Sequence, residues 1–142
     1  MTVANIYLNF AGKTEEAFTF YKSVFGGEFS AFQRFGDTPM AGTFPPTVLQ
    51  KVMHVALQIT PNCTLMGTDA LAELGQTLTP GNNVSISLHP DSREEADKLF
   101  AALSAGGQVG MPLADAFWGA YFGTWVDAFG TRWMINYVPP KP

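Results

Sequence analysis

The chain opens on an alternation. From Ala4 to Phe10, Ile6, Leu8 and Phe10 fall on one side and Asn5, Tyr7 and Asn9 on the other, which is the period of a strand with one apolar and one polar face. The period then lengthens. Thr14 suits a helix N-cap, Glu15 and Glu16 suit the positive end of a helix dipole, and Ala17, Phe18, Tyr21, Val24 and Phe25 recur at helical spacing until Gly26-Gly27 stops the run. Three further strands are predicted over residues 28–35, 52–60 and 64–68, with the Pro- and Gly-bearing stretch 36–46 as a loop.

The same order then begins again. After Asn82-Asn83, Val84, Ile86 and Leu88 alternate with Ser85, Ser87 and His89. Ser92 with Glu95 three residues on reads as a capping box, Ala96, Leu99, Phe100 and Leu103 make a second helical stripe, and Gly106-Gly107 ends it. Residues 108–111, 120–126 and 132–138 read as three more strands. Glu15-Glu16-Ala17 leading to Gly26-Gly27 matches Glu94-Glu95-Ala96 leading to Gly106-Gly107 with a one-residue difference in length. Both halves, about residues 4–69 and 82–138, are therefore predicted as βαβββ. The expected fold is α+β: one domain over residues 1–142, two βαβββ modules forming a cup-shaped mixed sheet, helices outside. The competing reading is a pair of unrelated amphipathic helices in an ordinary α+β domain.

Composition narrows the function classes. With 142 residues, 46% of them apolar, the chain can bury the core of one domain. Eight basic against 12 acidic residues, a net of -4, offer no Lys/Arg cluster of the kind nucleic acid or an anionic membrane needs. Cys63 is the sole cysteine, which excludes an internal disulfide and a multi-cysteine metal site within one chain and suits a reduced compartment. The start carries no basic-then-apolar leader, and no apolar run approaches the roughly 18 residues of a membrane span. A cytoplasmic protein with no nucleic-acid or membrane partner is expected. No glycine-rich phosphate loop, HExxH, GxSxG or CxxC is present, so nucleotide hydrolysis, zincin and serine-hydrolase readings have no support.

Strand parity points to the candidate site. If the aliphatic face of each strand packs under its helix, Tyr7, Asn9, Ser85 and Ser87 line the other face, and His54, Ala56 and Gln58 join them opposite Val55, Leu57 and Ile59. Hydroxyls and amides on a cavity wall suit an uncharged or weakly polar ligand. His54 can titrate near neutral pH and serve as base, acid or metal ligand, and it is equally readable as a structural histidine. Asp69 after the fourth strand and Asp115 before Phe117-Trp118 are candidates to orient His54 in a catalytic set, although an Asp in such a place more often caps a turn. Asp127 in a DAFG turn reads as structural, His89 before Pro90 as a solvated turn residue, and Cys63 as a small buried hydrophobe. Among the aromatic residues of the last third, Trp118 is the preferred ligand contact, because it follows a loop and adjoins glycine.

The segments YLNFAGKTEEAFTFYKSVFGGE, VMHVAL, LMGTDA and AFWGAYFGTWVDAFGTRWMIN cover most of the chain. They resemble the vicinal oxygen chelate superfamily of glyoxalase I, bleomycin-resistance proteins and extradiol dioxygenases, and within it the PhnB-like branch, whose members often carry a demethylubiquinone methyltransferase label. The resemblance implies paired modules cupping a central cavity, and a homodimer. It also implies a divalent metal held by His or Gln on first strands and Glu on last strands. Those positions fall here at about Asn5, Asn83 and Met134, which are poor ligands for such an ion. Nor does a cofactor-binding strand run into a glycine-rich turn, as methyl transfer would require. No cofactor is therefore expected, and a divalent metal is doubtful. The leading expectation is a PhnB-type protein binding a small organic ligand without the superfamily's metal. The alternatives are a metal-dependent lyase, isomerase or dioxygenase using His54 and a carboxylate, and a dimerisation module whose cup is filled by its own aromatic side chains.

Overall fold

A computed structural model describes residues Met1 to Lys141 as two compact units, the first Met1–Thr79 and the second from Pro80 onward. Each unit is one four-stranded mixed sheet carrying one helix. In the first, β1 (Ile6–Phe10), α1 (Thr14–Phe25), β2 (Phe29–Arg34), β3 (Val52–Thr60) and β4 (Cys63–Asp69) form a sheet of order β1-β4-β3-β2. In the second, β5 (Ile86–Leu88), α2 (Arg93–Ser104), β6 (Gln108–Asp115), β7 (Tyr121–Val126) and β8 (Arg132–Tyr137) repeat the plan as β5-β8-β7-β6. In both, the first strand lies parallel to the last and the other pairings are antiparallel. The predicted pair of βαβββ modules is thus the observed fold.

In each module the helix covers one sheet face. Ala17, Phe18 and Tyr21 of α1 are fully buried, as are Val55, Leu57 and Leu65 of the sheet. Gly67 on β4 makes room for Phe18, whose ring would stand only 2.6 Å from a β-carbon placed there. In the second module Gly123 plays the same part beneath Phe100, at 2.9 Å. Trp125 and Trp133, cross-strand neighbours, stack with their rings 6.3 Å apart and 7° from parallel, and both are buried.

Several boundaries differ from expectation, each for a physical reason. Thr14 is not the cap of α1 but its first residue; the N-cap is Lys13, whose side chain makes no capping bond. A carboxylate from β4 does that work instead. Ser92 caps α2 as expected, accepting the Glu95 amide at 3.1 Å, while the Glu95 carboxylate accepts the Asp91 amide rather than that of Ser92. β5 starts at Ile86 instead of near Asn83, because the parallel register Ile86↔Trp133 brings Val84 level with the turn before β8, where there is no strand to pair with. β6 continues past Met111 to Asp115 in spite of Pro112: it is an edge strand, where the missing N–H of proline is tolerated, and its register shifts around that stretch. The stretch around the 36–46 loop makes three single 3₁₀ turns, Phe35–Asp37, Ala41–Thr43 and Pro46–Val48. Among the described residues no helix is long and apolar enough to cross a membrane.

Candidate functional site

The face of each sheet turned away from its helix carries the polar residues. In the first module the pairs Tyr7↔Met66, Asn9↔Thr68, Ala56↔Met66 and Gln33↔His54 share this open face, whereas Leu8↔Gly67, Phe10↔Asp69 and Val55↔Gly67 share the helix face. Tyr7 and His54 meet across the open face: the phenol oxygen lies 3.2 Å from His54 Nδ1, and the rings stack with centroids 5.8 Å apart at 25°. With Nδ1 unprotonated the phenol donates to it; with the ring cationic the phenol accepts. By register, the side chains of Asn9 and Gln33 share this face with the pair.

Both carboxylates considered for a set with His54 are committed to other partners. Asp69 lies on the helix face, by strand parity the opposite side of the sheet from His54. Its carboxylate is buried and committed: Oδ1 accepts the Thr14 amide at 3.1 Å and the Thr14 hydroxyl at 2.6 Å, and Oδ2 accepts the Val52 amide at 2.8 Å. It caps α1 and fastens the start of β3, so it cannot orient His54. Asp115 belongs to the second module and forms a two-pronged ion pair with Arg93, at 2.7 and 3.2 Å. That guanidinium holds the Asp115 carboxyl below the usual carboxylate range, and it lies 3.8 Å from the centroid of the Tyr121 ring. The Tyr121 hydroxyl donates to Asp97, which raises the phenol above its ordinary value.

On the open face of the second module three rows of residues cross the sheet. Ser87, Met134 and Thr124 form one, Asn136 and Phe122 the next, and Arg132, Val126 and Gln108 the third, with Ser85 level with Arg132 by the β5–β8 register. Ser87 is not free: its hydroxyl lies 3.1 Å from His89 Nε2, and His89 Nδ1 lies 3.2 Å from the Asn136 carbonyl. A carbonyl only accepts, so Nδ1 carries a proton and, in the neutral ring, Nε2 accepts from Ser87. His89 is exposed, as expected of a turn residue, but it bridges β5 and β8. Trp118 stands on the β6–β7 turn, 53% exposed, edge-on to Phe117 and to Phe122. Tyr121, Trp125 and Trp133 are core instead. Asp127 closes its turn, accepting the amides of Phe129 and Thr131 and the Trp133 indole N–H at 2.9 to 3.0 Å. Cys63 is half-buried, and that burial raises its thiol above the ordinary value.

A cavity of about 300 Å³ opens beside the third row, lined by Ser85, Gln108, Gly110, Thr124, Val126 and Arg132 with parts of their strand neighbours. Sequence reading passed over Arg132. The signal was there in strand parity, since Arg132 alternates with Trp133 and Ile135, which are buried against the helix.

The donors at the superfamily's metal positions do not suit a divalent ion. The side-chain oxygen of Asn5 accepts the Thr64 amide at 3.2 Å, Asn83 lies in the loop before β5, and Met134 offers a soft thioether. Among the described residues no three His, Cys, Asp or Glu side chains cluster as a metal set.

A family model described as 3-demethylubiquinone-9 3-methyltransferase matches residues 3–136. The chain belongs to this family. It is the PhnB-like family. Protein YjdN of Escherichia coli K12 is 29% identical over 96% of this chain and 95% of its own length. The crystal structure of PA1353 from Pseudomonas aeruginosa is 38% identical, with 97% of this chain and 98% of that one covered and a TM-score of 0.85. A PhnB protein from Bacillus cereus is 26% identical over 96% and 100%, with a TM-score of 0.75. A glyoxalase/bleomycin resistance protein/dioxygenase family enzyme from Burkholderia phytofirmans, 18% identical over 98% and 100% at a TM-score of 0.62, shares the fold with this PhnB-like chain.

Proposed function

We propose that this PhnB-like protein binds a small organic molecule on the polar open faces of its sheets, without a metal at the superfamily's ligand positions, and that it does so as a homodimer. The observation that carries the reading is the contrast between the two sides of each sheet. The helix sides are filled by aromatic and aliphatic side chains, whereas the open sides present the Tyr7–His54 pair, Asn9, Ser87, Thr124 and Arg132, which are hydrogen-bonding groups suited to a ligand. Exposed Phe117 and Trp118 add flat apolar surface for a planar ligand or a second subunit.

The test is a panel of small organic fragments, neutral and charged, titrated by calorimetry against the wild type and the Tyr7→Phe, His54→Ala and Trp118→Ala variants. S-adenosylmethionine belongs in the panel because methyl transfer is what the family's description implies. Binding that at least one variant weakens tenfold while its melting temperature is kept supports the reading. Binding that appears only after a divalent ion is added overturns the metal-free part. Light scattering on the same samples tests the dimer, and a monomer mass at about 50 µM, far above a stable dimer's dissociation constant, would overturn it.

A further inference from the structure

We infer that the Arg132 cavity of the second module is a binding site for a carboxylate group. The proposal deepens the small-molecule reading, because it names the ligand chemistry that one open face is built to take. Arg132 begins β8 beside a dense core and is less than about a third exposed. Among the described residues no carboxylate pairs with its guanidinium, and Nε is buried with no hydrogen-bond partner at all. Each of the other two arginines has a carboxylate within 2.9 Å: Arg34 has Glu15, and Arg93 has Asp115. The Nε donor is sealed, but the terminal nitrogens of this partly desolvated guanidinium have no anion, and an oxyanion from outside the chain that meets them offsets part of the cost.

The surroundings select the class of anion. The lining residues hold no acidic side chain to repel it and no second cation to balance a dianion. Ser85, level with Arg132, supplies a hydroxyl, and Gln108, at the far end of the row, an amide N–H₂. Thr124 already accepts the Met111 amide at 3.0 Å, so its own hydroxyl proton remains to donate. One fixed positive charge with three neutral donors matches a carboxylate monoanion better than a phosphate dianion. Space is kept by Gly110, where a β-carbon would stand 2.8 Å from Thr124 Oγ1. A cavity near 300 Å³ holds an acid of benzoate size.

The test titrates full-length protein with benzoate, with benzamide as its neutral counterpart and with inorganic phosphate. Benzoate is expected to bind at least about tenfold more tightly than benzamide, and Arg132→Met to remove that preference. Arg132→Lys, which keeps the charge but not the fork, is expected to fall between, and Ser85→Ala gives a milder variant should Arg132→Met fold poorly. If benzoate and benzamide bind alike and Arg132→Met changes neither, the carboxylate site is overturned while small-molecule binding stands. If phosphate displaces benzoate and binds more tightly, the assignment to a monoanion is overturned. If no fragment of this panel or the wider one binds, both readings fall together.

Discussion

Two aspartates show how much a single side chain is asked to do here. Asp69 satisfies the first free amide of α1, a hydroxyl and the first amide of β3, all in the core, and Asp127 does the same for two turn amides and an indole. Removing a buried acceptor strands its donors, at about 1 to 3 kcal/mol for each donor left without a protein or water partner. Asp69→Ala is therefore expected to lower unfolding free energy by about 2 to 4 kcal/mol, since a helix cap is lost as well, without altering His54-dependent binding. Urea denaturation checks the first half and fragment titration the second; an Asp69 variant of normal stability but altered His54 chemistry would contradict the face assignment. The sequence could show that Asp69 follows a strand and that His54 has the opposite parity to Val55. It could not show that Asp69 closes onto Thr14, because a cap supplied from 55 residues away leaves no local pattern. The nearest local capper, Thr14 itself, drew the assignment.

At the scale of elements, the joint between helix and sheet was legible as apolar stripes but not as contacts. Phe18 over Gly67 and Phe100 over Gly123 set how closely each helix lies on its sheet. A methyl at Gly67 has no space between the ring and the Leu8 carbonyl, and Gly67→Ala is expected to cost about 1 to 3 kcal/mol, read as a lower urea midpoint. A Phe18→Leu change in the same chain should recover part of that loss. The ion pair between Glu15 on α1 and Arg34 on β2 gives the joint a pH dependence. Its hydrogen bonds from Arg34 hold the Glu15 carboxyl below its ordinary value. A depressed folded-state pKa contributes stability that is present above the unfolded value, near 4.3, and lost as pH falls through the lower folded one. Wild type should thus lose more stability than Glu15→Gln between pH 6 and pH 3, by a small amount, because the carboxylate is half exposed. Equal losses would show that the pair adds nothing. The strand ends that were misjudged, at Val84 and Pro112, were set by where a partner strand stops, which one strand's own residues do not record.

For the whole molecule, the repeat predicts architecture well because both copies obey the same backbone rules, and predicts chemistry poorly because the copies differ in what they place on their open faces. The first offers a phenol and an imidazole, the second hydroxyls and a guanidinium. Neither offers the hard anionic donors that hold a divalent cation, and of the two amide oxygens at the first-strand ligand positions, that of Asn5 already accepts the Thr64 amide while that of Asn83 lies in the loop before β5. A resident metal that helped hold the fold would stabilise it by mass action, so stripping it would lower the melting temperature and restoring it would raise it. Dialysis against EDTA is therefore expected to leave the melting temperature within about 1 °C of the untreated protein, and excess Mg²⁺, Mn²⁺, Ni²⁺ or Zn²⁺ to raise it by no more. Fragment affinities should be equally indifferent to the chelator. An ion recovered at one per chain, whose removal both lowers the melting temperature and abolishes fragment binding, would mean that the donor set lies elsewhere on these faces and that His54 is its first candidate.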